Sequence, residues 1–129
     1  MNPLLKHNHY ILRATVENTQ QLADIDKTKI FLESVVAELD MQILIPAQVA
    51  YCDIENNRGI TGLIGLTTSH IALHLWDEVS PAIIQLDVYT CSALDIAKLQ
   101  DYISTWFNIL EQDFLLIDRE KSLKIKKSG

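Results

Sequence analysis

The chain has 129 residues, of which 48% are apolar and 22% charged, and its net charge is −6. That length fits one domain, 1–129, and that balance excludes a disordered chain. An acidic chain repels phosphate backbones, so nucleic acid is excluded as a first partner.

The N-terminus, "MNPLLKHNHY", lacks the long apolar core of a signal peptide. No stretch reaches the ~18 uninterrupted apolar residues of a membrane helix. Cys52 and Cys91 have neither CxxC nor zinc-type spacing. The expectation is a cytoplasmic protein with reduced thiols. Residues 9–16, "HYILRATV", are rich in branched side chains and predict a strand. "ENTQQLADID" is polar and loop-like. From Asp26, a possible cap, Leu32, Val35, Val36 and Leu39 fall on one face at helical spacing. "MQILIPAQVAY" predicts a second strand, with Pro46 marking an edge or a bulge. "DIENNRG" is a turn or loop.

Three strand-like runs follow, at 60–68, 70–76 and 82–91. A second helix is predicted from Leu94 to Leu110, with Ile96, Leu99, Ile103, Trp106 and Leu110 as its apolar face. Ser92 and Asp95 have the spacing of a capping box. "FLLIDR" predicts a last strand that "LKIK" extends, and the lysine-rich tail from Lys121 to Lys127 reads as a solvated end. Strands joined by short connections pair antiparallel. The predicted class is α+β: a two-layer sandwich, mainly antiparallel, with two helices on one sheet face. No repeat, low-complexity run or linker interrupts it.

Side chains alternate across a strand. Ile71, Leu73 and Leu75 share one parity, and Ile84, Leu86 and Val88 share one on the later strand. These face the helices. His70, Ala72, His74 and Trp76, with Gln85, Asp87, Tyr89 and Cys91, then face the other way. Cys and Trp are seldom left on a plain solvated face. A strand histidine is nevertheless most often structural, and a lone cysteine is most often a small buried apolar residue. His70, His74 and Cys91 offer zinc-type ligands, but no HExxH is present and Cys91 has no neighbouring ligand, so no metal is expected. Ser69 lacks the GxSxG elbow of a hydrolase.

"SHIALHLWDE" followed by "LDVYTC" resembles the small prokaryotic S-adenosylmethionine decarboxylases. That family carries a Glu-Ser-His step, a second histidine five after the serine, a Trp-Pro-Glu and an Asp-x-(Phe/Tyr)-Thr-Cys run. The match covers residues 59–91, with a weaker echo in "HYIL". The resemblance implies that Ser69 is the precursor of a pyruvoyl cofactor. Its hydroxyl attacks the carbonyl of Thr68, the amide becomes an ester, and elimination cuts the chain between Thr68 and Ser69. It further implies His74, expected near Ser69, as the processing histidine, and Thr61 as an assisting hydroxyl.

Losing CO₂ from an α-amino acid requires an electron sink, and a pyruvoyl ketone bound to the substrate amine is one. The resemblance implies Cys91 as the donor that returns a proton to carbon, and Glu78 as the acid that accepts from the ribose hydroxyls. Tyr51 is the nearest candidate for the adenine-stacking aromatic. The implied reaction is decarboxylation of S-adenosylmethionine, supplying aminopropyl groups for spermidine, and the implied assembly is a homodimer.

The sequence departs from the family pattern in several places. Thr68 replaces Glu, Leu75 and Asp77 replace Thr and Pro, Ser92 replaces Gly, and the segment from His74 to Cys91 is longer. The self-cleaving atoms are preserved while the nucleoside pocket is altered. Two alternatives therefore stand beside the first reading: a pyruvoyl decarboxylase of another amino acid such as arginine or ornithine, and an uncleaved homologue that acts by binding.

Overall fold

The computed structural model describes residues 6–129. The leader reading of residues 1–5 falls outside the described residues. The elements are β1 (Asn8–Val16), α1 (Ile25–Glu38), β2 (Ile43–Cys52), β3 (Gly59–Leu66), β4 (Ser69–Trp76), β5 (Ala82–Thr90), α2 (Ile96–Trp106), β6 (Ile109–Asp118) and β7 (Ile125–Ser128). The strands form one sheet in the order β2-β3-β4-β5-β1-β6-β7. Every pairing is antiparallel. The two-layer expectation holds.

The period-two pattern divides the sheet as the sequence suggests. Tyr10, Leu12 and Ala14 of β1, Ile71, Leu73 and Leu75 of β4, and Ile84, Leu86 and Val88 of β5 are all buried. Against them lie Phe31, Leu32, Val35 and Val36 of α1 and Ile96, Leu99 and Ile103 of α2. Each such side chain removed from water contributes roughly 1.5–3 kcal/mol. Gly62 lets α1 sit close: a Cβ there would lie 3.0 Å from Leu32 Cδ1 and 3.3 Å from Thr28 Cγ2. Among the described residues, no helix covers the opposite sheet face. Leu63 and Ile45 are exposed on it, at 51% and 58%.

Helix ends differ from expectation. Asp24, not Asp26, caps α1, and its carboxylate accepts from Lys27 N at 2.8 Å. Asp26 sits in the first turn, where the helix dipole favours an acid. Asp95 itself caps α2, accepting from Lys98 N at 3.1 Å. Ser92 forms no capping box; its hydroxyl meets that of Thr90 at 3.0 Å. α2 stops at Trp106, because Phe107 turns extended (φ −129°) and starts the approach to β6. Leu110 is therefore an exposed strand residue rather than part of the helix face. Pro46 lies on an edge strand where the β2–β3 register shifts, as expected. The tail is solvated, as expected, and part of it forms a strand. β7 turns back and pairs antiparallel with β6.

Among the described residues, no helix is long and apolar enough to cross a membrane.

Leu73 is 1% exposed at the centre of the sheet. Leu73→Ala removes that contact and leaves a cavity, so urea denaturation should show a loss of about 2–5 kcal/mol.

Candidate active site

The first cluster forms at the turn between β3 and β4. Leu66 pairs with Ser69, so Thr67 and Thr68 alone close the hairpin. Such turns usually place Gly or Asn at a positive φ. Here Thr68 adopts φ +58°. A β-branched residue in the left-handed region is strained, at a cost of order 1–3 kcal/mol. That strain sits on the residue whose carbonyl belongs to the Thr68–Ser69 peptide.

Ser69 shares the parity of Ile71 and Leu73 and is 8% exposed. Its hydroxyl accepts a hydrogen bond from Cys91 N at 3.0 Å. The Thr68 hydroxyl donates to Cys91 Sγ at 3.4 Å, and the thiol reaches Thr67 O at 3.7 Å. Three residues thus meet: the hydroxyl at 69, the thiol at 91 and the hydroxyl at 68. The Thr68 hydroxyl, and then that of Ser69, hold the Cys91 thiol below its ordinary pKa; burial opposes them.

The second cluster lies toward the other end of the sheet. Thr61 pairs across strands with His74, and its hydroxyl lies 3.2 Å from His74 Nδ1. The Trp76 ring sits 6.1 Å from that of His74, and its indole N–H donates to Asn57 Oδ1 at 2.9 Å. A cavity of 180 Å³ opens here, lined by Cys52, Asn57, Gly59, Thr61 and Trp76 among others. Glu78 lies beyond it. Both its oxygens are engaged by Arg58, one by Nη1 at 2.7 Å and one by the backbone N at 3.4 Å. Arg58 Nε also reaches Asp53 at 2.8 Å. Tyr51 donates its hydroxyl to Asp77 at 3.0 Å. It pairs with Ile60, not Thr61, so it lacks the parity of the open face. Trp76 is the aromatic that lines the cavity, and its parity with His74 was the available signal.

One chain does not bring the two clusters together. His74 follows Ser69 by five residues along β4, about 16 Å at ~3.3 Å per residue. The odd spacing also puts the two side chains on opposite faces. The expectation that His74 lies near Ser69 therefore fails within a single chain.

A third group was not legible in the sequence. β1 lies between β5 and β6, which sets His9 beside Tyr89 and His70 on the open face. The His9 ring lies 6.3 Å from His70 and 6.1 Å from Tyr89. The Arg119 guanidinium covers Tyr89 at 4.2 Å. Burial pushes the His9 pKa down, against the pull of Asp87 at 3.6 Å. His70, His74 and Cys91 do not converge, and among the described residues no three His, Cys, Asp or Glu side chains form a metal-binding group.

An antiparallel sheet with two helices on one face, and a serine hydroxyl, a strained peptide and a thiol at one end, defines a two-layer α+β protein. Residues 8–120 match the sequence model of the S-adenosylmethionine decarboxylase family, and the chain belongs to that family. It is 33% identical over 102 residues to the S-adenosylmethionine decarboxylase proenzyme of Pyrococcus abyssi (strain GE5 / Orsay), covering 78% of this chain and 68% of that one. The proenzyme of Thermococcus onnurineus (strain NA1) is 33% identical over 98 residues, covering 74% of this chain and 64% of that one. The matched segment thus spans about two thirds of the length of these relatives. The crystal structure of the adenosylmethionine decarboxylase from Aquifex aeolicus VF5 has the same fold, with a TM-score of 0.63 and 24% identity over 93% of this chain and 98% of that one.

Removing the Thr68 hydroxyl removes the first support of the thiolate. In Thr68→Val the pH midpoint of Cys91 alkylation by iodoacetamide should move up toward that of an ordinary thiol, and an unmoved midpoint would count against the contact.

Proposed function

We propose that this chain is a self-processing S-adenosylmethionine decarboxylase whose pyruvoyl group derives from Ser69. The observation that carries the reading is the Ser69 hydroxyl held at 3.0 Å from Cys91 N, directly after a Thr68 strained at φ +58°. The residues fit the group. Ser69 Oγ attacks the Thr68 carbonyl carbon, and the amide nitrogen leaves it, giving an ester. Relief of the left-handed Thr68 favours that step, and the Cys91 N–H stabilises charge on Oγ as it forms. A base then removes the Ser69 Cα proton. The Cβ–Oγ bond breaks and Oγ departs as part of the Thr68 carboxylate. The dehydroalanine left at 69 tautomerises to an imine, and water releases ammonia to leave the ketone. Bound to the substrate amine, that ketone supplies the electron sink for loss of CO₂.

Cys91 is the proton donor in this reading. It sits beside residue 69, where the substrate amine would be held, so its proton would go to the substrate carbon that has lost CO₂. Glu78 accepts from the ribose hydroxyls with the lone pairs that Arg58 leaves free. The product is an aminopropyl donor for spermidine, and the two free cysteines suit a reduced, cytoplasmic setting.

The site is completed by a second copy. A homodimer related by a two-fold axis across the open faces sets the Ser69–Cys91 end of one copy against the His74–Thr61 end of the other. It also covers Leu63 and Ile45, which a lone chain leaves in water. His74 of the second copy then serves as the processing base that one chain lacks.

A second reading is favoured by Arg58. It already occupies the carboxylate of Glu78, which suits an amino acid other than one bearing a nucleoside. Measuring CO₂ release from S-adenosylmethionine, arginine and ornithine separates the two.

Two experiments test the proposal. Intact mass should show two pieces cut between Thr68 and Ser69. Ser69→Ala should abolish the cut, and Thr68→Glu should accelerate it on a denaturing gel over hours. A single uncut species of 14.7 kDa that stays uncut in Thr68→Glu would favour the binding protein. The second experiment mixes copies. His74→Ala alone should slow cleavage by about 10²–10⁴-fold, the scale of one general base. Unfolding and refolding it together with Ser69→Ala should restore cleavage of the His74→Ala chain, because the partner supplies His74. No restoration would overturn the supply of His74 by a second copy.

A further inference from the structure

We propose that Lys126 and Asn8 are positioning residues for Cys91, which hold the thiol in place once the serine that first anchors it has been consumed. The inference rests on the self-processing reading above.

In the uncut chain the thiol of Cys91 meets Thr68 Oγ1 and Thr67 O, and its backbone is fixed from two sides. On one side its N–H donates to Ser69 Oγ at 3.0 Å. On the other, its carbonyl accepts from Lys6 N at 3.1 Å. The next carbonyl, Ser92 O, accepts from Asn8 Nδ2 at 3.3 Å. Asn8 is 3% exposed and uses both ends of its amide. Its Oδ1 accepts from Lys126 Nζ at 2.9 Å. The ammonium fixes which way the amide points, so that the NH₂ end faces Ser92. Ser92 is tied further by its N–H and hydroxyl to Thr90 Oγ1, at 3.1 Å and 3.0 Å. Lys126 lies on β7, the lysine-bearing edge strand.

Processing removes the first side. The Cβ–Oγ bond breaks, its electron pair stays on Oγ, and Oγ leaves with Thr68 as a carboxylate oxygen. Residue 69 then has no hydroxyl to accept from Cys91 N. The backbone of Cys91, whose thiol must return a proton to the correct carbon, is then held only from the β1 side. Asn8 is the only side chain among the described residues that bonds the Ser92 carbonyl, and Lys126 is the group that aims it.

The test uses the whole chain with Cys52→Ser, so that Cys91 is the only thiol. Ser69→Ala mimics the loss of Oγ without requiring processing. His74→Ala keeps the hydroxyl, and a gel confirms that the chain is uncut. In the Ser69→Ala chain, Lys126→Met should shift the pH midpoint of Cys91 alkylation by iodoacetamide upward by about half a unit to one unit, the scale of one hydrogen bond. Lys126→Arg should restore it. In the His74→Ala chain the same Lys126→Met should shift the midpoint far less. In the processed enzyme, Lys126→Met should lower kcat several-fold with KM little changed, and raise the fraction of chains lost to transamination. Equal midpoints with and without Lys126 in the Ser69→Ala chain would overturn the proposal, as would equal shifts in both backgrounds. If the midpoints behave as stated but no variant releases CO₂, the anchoring holds and the decarboxylase reading is what fails.

Discussion

Two helices cannot wrap a seven-stranded sheet. That shortage governs the molecule. α1 and α2 cover one face, and every strand pays for it on the other with side chains that must live in water or against a partner. The consequence is visible in the residues. Inward positions are mostly apolar, with Leu, Ile and Val the commonest, whereas outward positions carry His9, His70, His74, Asp87 and Tyr89 beside Leu63 and Ile45. Polar chemistry collects there because the open face is where titratable groups can be hydrated.

The same sheet separates the groups that the proposed self-processing would use. Strand spacing fixes Ser69 and Cys91 at one end and His74 with Thr61 toward the other. No rotamer change closes a gap of about 16 Å, since strand rise is rigid. Only an element outside the single chain can do so. In the proposed dimer, one second copy would cover the open face and bring His74 to the Ser69 end.

Much of this was legible in the sequence, and the limits have physical reasons. Alternation in 70–76 and 82–91 gave the faces correctly, because period two survives in any sheet. The order of strands did not follow from it, since pairing is non-local; the His9–His70–Tyr89 group depends on β1 entering between β5 and β6. The end of α2 was misplaced because no Gly or Pro marks it, and Leu110 matches the helical period by coincidence of spacing. The distance from Ser69 to His74 could have been counted, for five residues on a strand is an odd number. The strain at Thr68 was not visible, because nothing in "TTS" announces a two-residue turn without glycine.

The strand order also interleaves the two pieces that a cut at Thr68–Ser69 would produce. The first piece holds β1, α1, β2 and β3; the second holds β4, β5, α2, β6 and β7. In the sheet they alternate: β2-β3 from the first, β4-β5 from the second, β1 from the first, β6-β7 from the second. Pulling them apart breaks the ladders β3–β4, β5–β1 and β1–β6 together. A nicked molecule is therefore mechanically locked, with β1 clamped between β5 and β6 of the other fragment. Its assembly order is locked as well. Once unfolded, the two fragments would have to meet by diffusion, and their recovery would depend on concentration, whereas the continuous chain threads β1 into place as an intramolecular event. Continuity of the chain matters for building the sheet and no longer matters for keeping it.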